Sequence, residues 1–201
     1  MPSRIDHDKR KREIAMKAMG LFSKVGFDNV SLIMVAEAAG VARTVLYRYF
    51  RSKREVLDAA IHEATSFIMD ECARVLDKGG TASERLEGVC HETVSILFNN
   101  KEFLVAVYDF VVAEVRVGMD MTGRVKQFTT GIRNLFGTLL EEGRRQGTFR
   151  TDLDVAQSVD ILYSFLEVCT MRIVLGTERT PAAAKRRFTV AVRSLEKEKV
   201  K

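Results

Sequence analysis

Arg43, Thr44, Tyr47 and Arg48, followed at once by Arg51, Lys53 and Arg54, place guanidinium, ammonium and hydroxyl groups between the apolar Leu46 and Tyr49. Groups of this kind at this density suit phosphate oxygens and base edges. They can work only if a rigid element presents them. The surrounding stretch, SLIMVAEAAGVARTVLYRYFRSKREVL over residues 31–57, predicts one. Ser31 can cap a first short helix by accepting an orphan N–H of its opening turn. Val35, Ala36 and Ala39 then share one helical face. Gly40 follows, where the chain must leave the right-handed region and only glycine does so without steric cost. Val41 anchors the far side of the turn, and Leu46 and Tyr49 continue the buried stripe on a second helix. Ala36 is small where two helices would cross steeply. The pattern is a helix-turn-helix, whose second helix enters the DNA major groove. A plain helical hairpin with a solvated basic face is the alternative, and the basic cluster argues against it.

Charge placement sharpens this. Of 32 Lys+Arg and 27 Asp+Glu, 12 and 7 fall within residues 1–60, so the whole formal excess of +5 lies there. A confined excess of this sign is a footprint for a polyanion. Arg4, Lys9, Arg10, Lys11 and Arg12 cluster ahead of the expected first helix. Taken alone they read as a basic tail that binds phosphates without sequence choice.

The chain has 201 residues, 46% hydrophobic and 29% charged, which fits a globular protein of one or two domains. Its two prolines are Pro2 and Pro181, so nothing between them interrupts long helices. An all-α fold is expected. Helices are predicted at about 9–25, 53–77, 83–98, 102–117, 123–146 and 154–175, with a last one opened by Thr180-Pro181. Residues 1–52 would form the helix-turn-helix domain, 53–77 a connecting helix and 78–201 a helical bundle, with Gly79-Gly80 as the break. A charged tail runs over residues 196–201. No run of 18 apolar residues and no signal peptide is present, so a cytoplasmic location and no membrane partner are expected. Cys72, Cys90 and Cys169 are odd in number and widely spaced, which argues against disulfides and a metal cluster.

The block REIAMKAMGLFSKVGFDNVSLIMVAEAAGVARTVLYRYFRSKREVL resembles the N-terminal domain of the TetR family of transcriptional regulators. The matching features are Ile14, Ala18 and Leu21-Phe22, then Gly26-Phe27, Ala39-Gly40-Val41, Leu46-Tyr47-Arg48-Tyr49-Phe50 and Ser52-Lys53. The resemblance implies DNA contacts from Ser31, Arg43, Thr44, Tyr47 and Lys53. Tyr47, Lys53 and Ser31 would hold phosphates, and Arg43 and Thr44 would lie nearest the bases. Arg48 and Arg51 would add further phosphate contacts. Family members often carry Ser at the position of Ala42, Gly at Thr44 and Thr or Ser at Val45. Ala42 removes a helix cap, while Thr44 and Val45 bring methyl groups suited to a thymine methyl. The resemblance also implies a second helical domain that binds a ligand and dimerises.

Polar or aromatic groups set within the apolar helices are the ligand candidates: His91, Tyr108, Phe110, Glu114, Phe128, Tyr163 and Glu167. A small, largely hydrophobic effector is expected, as for many family members. The helix at 154–175 carries one apolar stripe of Val155, Val159, Leu162, Leu166, Cys169 and Ile173, and another of Ile161, Phe165, Val168 and Leu175. A surface helix needs one apolar face, so two faces predict burial against its own core and against a second copy. Leu162, Leu166, Cys169 and Ile173, with Phe188 and Val192 of the last helix, are the expected interface of a homodimer. An enzyme is not expected: Cys90-His91-Glu92 are adjacent and point apart on a helix, and no phosphate loop, HExxH pair or GxSxG elbow is present. No cofactor or metal is implied. The reading is a regulator, in all expectation a repressor, that binds a pseudo-palindromic double-stranded DNA operator as a dimer and is released by its effector. The alternative is a ligand-independent architectural or cell-division protein on the same scaffold.

Overall fold

The computed structural model describes residues 4–197, with side chains from His7 to Lys197. Pro2, the side chain of Arg4 and the last four residues of the charged tail lie outside the described residues. The described chain is helical: α1 (Arg4–Val25), α2 (Leu32–Ala39), α3 (Arg43–Leu46), α4 (Lys53–Leu76), α5 (Ala82–Asn99), α6 (Lys101–Arg116), α7 (Thr122–Gln146), α8 (Val155–Val174) and α9 (Pro181–Arg193). The all-α expectation holds. Lys9, Arg10, Lys11 and Arg12 do not precede the first helix, because α1 begins at Arg4 and carries them on its own turns. Among the described residues no helix is long and apolar enough to cross a membrane.

Packing divides the chain into two compact units, residues 1–67 with 102–128 and residues 68–101 with 129–201. This differs from boundaries at 52 and 77. The first unit has one apolar core. Ile14, Ala18 and Phe22 of α1 meet Val35 and Ala36 of α2, Leu46 of α3 and Val56, Leu57, Ala60 and Ile61 of α4. Phe103, Ala106 and Phe110 of α6 complete it. Phe110 packs edge-on against Phe27, ring centroids 4.7 Å apart. Burying one such aromatic ring is worth about 1.5–3 kcal/mol, so α6 is integral to the unit that holds the helix-turn-helix.

In the second unit α5 packs against α9 and α8. Thr81 opens α5 with a capping box: its hydroxyl accepts Glu84 N–H, and the Glu84 carboxylate accepts Thr81 N–H at 2.9 Å. Gly143 of α7 is required by close approach, because a Cβ there would stand 2.3 Å from the Phe149 ring. The chain after α9 is held by Arg150 N–H donating to Leu195 O at 3.1 Å and Ser83 Oγ donating to Glu196 at 2.6 Å. Between α8 and α9 the carboxylate of Glu178 is buried, 5% exposed as a residue, and is held by the guanidinium groups of Arg172 and Arg187. Paired charge is what makes such burial tolerable.

The two apolar stripes of α8 separate cleanly. Leu162, Leu166, Cys169 and Ile173, with Phe188 and Val192 of α9, are at most 7% exposed within the single chain. They build this chain's own core, so they are not available as a dimer surface. The outward stripe is Ile161, Phe165, Val168, Met171 and Leu175, joined by Val190 of α9, all between 43% and 69% exposed. Ile161, Phe165 and Val190 line an open groove of about 810 Å³ between α8 and α9, with Arg150 and Arg186 at its margin.

Candidate nucleic-acid interface

The geometry of the reading segment follows from local chemistry. Ser31 is the N-cap of α2, its hydroxyl accepting Met34 N–H at 3.3 Å. Gly40 ends the helix with φ +63°, and Val41 N–H returns to Ala36 O at 3.0 Å. A β-carbon at that φ costs about 1–2 kcal/mol. Ala36 is buried where α2 turns into α3. α3 is shorter than its pattern suggests. Ala42 occupies the N-cap and has no side-chain oxygen to offer. After Leu46 the chain continues in tight turns, with Arg48 N–H donating to Val45 O and Tyr49 N–H to Leu46 O. Leu46 and Phe50, both fully buried, pin the segment from beneath.

This arrangement leaves Arg43, Thr44, Tyr47, Arg48 and Arg51 exposed. Tyr47 keeps 54% of its surface open. An exposed aromatic beside cations, with Leu46 buried between them, is an arrangement for a partner and contributes little to the fold. Tyr49, expected in the buried stripe, is half-buried. Lys53 is already engaged: its ammonium donates to Phe27 O and Asp28 O, both at 3.1 Å, and lies 4.4 Å from the centre of the Phe27 ring. Three donors on an ammonium leave one N–H for a phosphate. Next to it, Arg54 donates to the buried carboxylate of Glu114 at 2.9 Å.

The ligand candidates are dispersed. Phe110 belongs to the core of the first unit and Phe128 packs against that core. Glu114 is committed to Arg54, and Tyr108 is half-buried with interactions of its own. In the second unit His91 Nε2 bonds Lys185 O and Thr189 Oγ1, both at 3.0 Å, and ties α5 to α9. Tyr163 lies under the guanidinium of Arg133, 4.9 Å from its ring centre, and Glu167 is exposed. All three cysteines are buried, and burial pushes each thiol above its ordinary pKa. That suppresses the reactive thiolate. Among the described residues no group of three His, Cys, Asp or Glu is placed to hold a metal ion.

Sequence reasoning missed the outward stripe of α8 as the available surface. It also missed two α1 residues against the reading segment. The His7 and Tyr49 ring centroids are 4.6 Å apart, and the Lys11 ammonium lies 5.5 Å from the centre of the Phe50 ring. The i, i+4 spacing of His7 and Lys11 was the one available signal.

A capped helix, a glycine turn and a second short helix with an exposed basic and hydroxyl face define a helix-turn-helix DNA-binding protein. The family model described as bacterial regulatory proteins, tetR family, matches residues 14–60. The chain is 23% identical over 161 residues to the HTH-type transcriptional repressor KstR2 of Mycolicibacterium smegmatis, covering 80% of this chain and 76% of that protein. The fold matches FadR of Bacillus subtilis in complex with stearoyl-CoA, with TM-score 0.73, 19% identity and coverage of 90% of this chain and 97% of that one. It also matches a TetR transcription regulator of Haloarcula marismortui, with TM-score 0.80, 16% identity and coverage of 94% and 100%. Residues 14–60 therefore carry the DNA-binding domain of the tetR family of bacterial regulatory proteins, and the rest of the chain shares the helical fold of such regulators.

Proposed function

We propose that the protein is a ligand-responsive repressor that binds a pseudo-palindromic operator as a homodimer. The observation that carries this is the exposed quartet Arg43, Thr44, Tyr47 and Arg48 on a segment pinned from beneath by Leu46 and Phe50. Arg43 and Thr44 contact base edges, while Ser31, Tyr47, Arg48, Arg51 and the remaining donor of Lys53 hold phosphates. One short helix covers little DNA, and a two-fold pair on two half-sites supplies the rest. The outward stripe of α8 with Val190 supports a dimer surface, since large contiguous apolar patches mark interaction sites.

The effector is small and largely hydrophobic. The stearoyl-CoA bound by the Bacillus subtilis FadR supports that class, as a long apolar chain on a polar carrier. α4 contributes residues to both units. An effector that binds one arrangement of α4 better than another therefore changes operator affinity, and tight binding without such a preference changes nothing.

The test is fluorescence anisotropy on DNA from just upstream of the protein's own gene, with random DNA as competitor and a Tyr47→Ala/Lys53→Ala variant. Saturable binding that survives competitor and is lost in the variant is the expected result. Acyl-CoA thioesters of graded length are then added. Release by the longer chains supports the effector class. Operator affinity indifferent to every effector supports the architectural alternative instead.

A further inference from the structure

We infer that the DNA-facing surface extends onto the first turns of α1, where Lys11 is a further phosphate contact and His7 positions Tyr49 beside it. This rests on the DNA-binding reading and adds a second edge to it. His7 and Lys11 are four residues apart and share a helical face. The His7 ring is tilted 34° to that of Tyr49, with centroids 4.6 Å apart. The Lys11 ammonium lies 5.5 Å from the centre of the fully buried Phe50 ring. Tyr49 and Phe50 directly follow Tyr47 and Arg48 and precede Arg51, so α1 is fixed to the stretch that presents the expected phosphate contacts.

The charges of α1 are not equally available. Arg10 is neutralised by Glu13 at 2.7 Å and Arg12 faces Glu63 at 3.7 Å. Lys11 is exposed and forms no ion pair among the described residues. A cation over an aromatic face is ordered without being neutralised, which suits a phosphate contact. The Tyr49 hydroxyl has no hydrogen-bond partner among the described residues, while its ring is held by His7. The local counter-charges are Asp8, whose carboxylate is 3.8 Å from His7 Nδ1, and Glu55, Asp58 and Glu63, which line one groove with Lys11 and Asp8.

The test uses the full chain and the same anisotropy assay over a salt series. Each phosphate contact adds close to one unit to the slope of log affinity against log salt. Lys11→Gln is expected to weaken binding about three- to tenfold, equally on operator and random DNA, and to reduce that slope by about one. Tyr49→Phe and His7→Ala give losses of about two- to threefold, with the ratio of operator to random DNA unchanged. Asp8→Asn strengthens binding and is the control of opposite sign. Thermal unfolding of each variant is recorded alongside. Lys11→Gln that leaves affinity and slope at the wild-type values overturns the inference. So does a loss of affinity that tracks a lowered melting temperature while the salt slope stays constant, since Lys11 would then only support packing. Failure of the underlying reading looks different: wild-type protein and Tyr47→Ala would then bind DNA alike.

Discussion

Among the described residues, two surfaces lack a partner within the chain, and their chemistries are opposite. The segment from Arg43 to Arg51 presents cations and hydroxyls over a buried Leu46 and Phe50. The outward face of α8 presents Ile161, Phe165, Val168, Met171 and Leu175 in an apolar stripe over an equally buried inner one. The rigid backing is similar, and what differs is the solvent each surface prefers to lose. Charged groups keep most of their hydration against a wet phosphate backbone, whereas aliphatic groups gain only by leaving water. The first surface therefore suits a polyanion and the second suits a copy of itself.

The largest expected effect breaks the second surface. Phe165→Glu puts a charge at the middle of the apolar stripe, and sedimentation velocity should then report a monomer. Operator affinity should fall about a hundredfold or more, because two linked heads bind by effective concentration and single ones do not. The protomer should melt as before, since Phe165 is 46% exposed in the single chain. A variant that stays dimeric removes α8 as the interface. Leu162→Ala is the complementary change, three residues earlier and facing inward. It should cost about 2–5 kcal/mol of folding stability in denaturant unfolding and leave the association constant of the folded dimer near wild type. If it instead dissociates a stable protomer, the two stripes have exchanged roles.

The first surface is broken more gently. Arg43→Ala should lose about 1–3 kcal/mol of operator affinity and relax discrimination at one base position. Arg48→Ala should weaken operator and random DNA by the same factor. A footprint or binding-site selection separates the two. Equal losses on all sequences for both variants would place Arg43 on the backbone.

How legible these surfaces are from sequence depends on the range of the contacts that build them. The helix-turn-helix is local: Ser31 caps three residues ahead, Gly40 and Val41 close back onto Glu37 and Ala36, and Leu46 meets the same core. Each step is visible in a short window. The place of α6 is not, because Phe27 and Phe110 are far apart in sequence and nothing near either residue names the other. For the same reason Phe110 and Glu114 read as pocket groups until packing assigns them to a core and to Arg54. The two stripes of α8 were both visible. Periodicity alone is symmetric between them, and only packing against α5 and α9 decides which one faces in.

A related contrast holds between a buried carboxylate and a half-buried one, and it carries the smallest effect. Glu178 of the second unit is held by Arg172 and Arg187. Asp58 of the first unit is half-served: Oδ2 is 3.4 Å from Arg124, while Oδ1 is buried without a hydrogen-bond partner among the described residues. Burial pushes the Asp58 carboxyl above the ordinary 3.8, Arg124 opposes this, and Glu114 and Glu55 add to the rise. An acid whose folded pKa is raised holds its proton more tightly in the native state. Between the ordinary and the raised value the folded chain therefore binds more protons than the unfolded one, and stability increases as pH falls through that window. Above the window the carboxylate is charged in both states and its desolvation counts against the fold. Asp58→Asn removes that cost, so the variant should be more stable than wild type at about pH 7 and lose its advantage as pH approaches 4. Urea unfolding at the two pH values decides it. An advantage that does not change with pH, or a variant that is weaker at neutral pH, would mean that the attraction to Arg124 outweighs desolvation. Asp58 would then belong with Glu178 as an acid satisfied by its arginine.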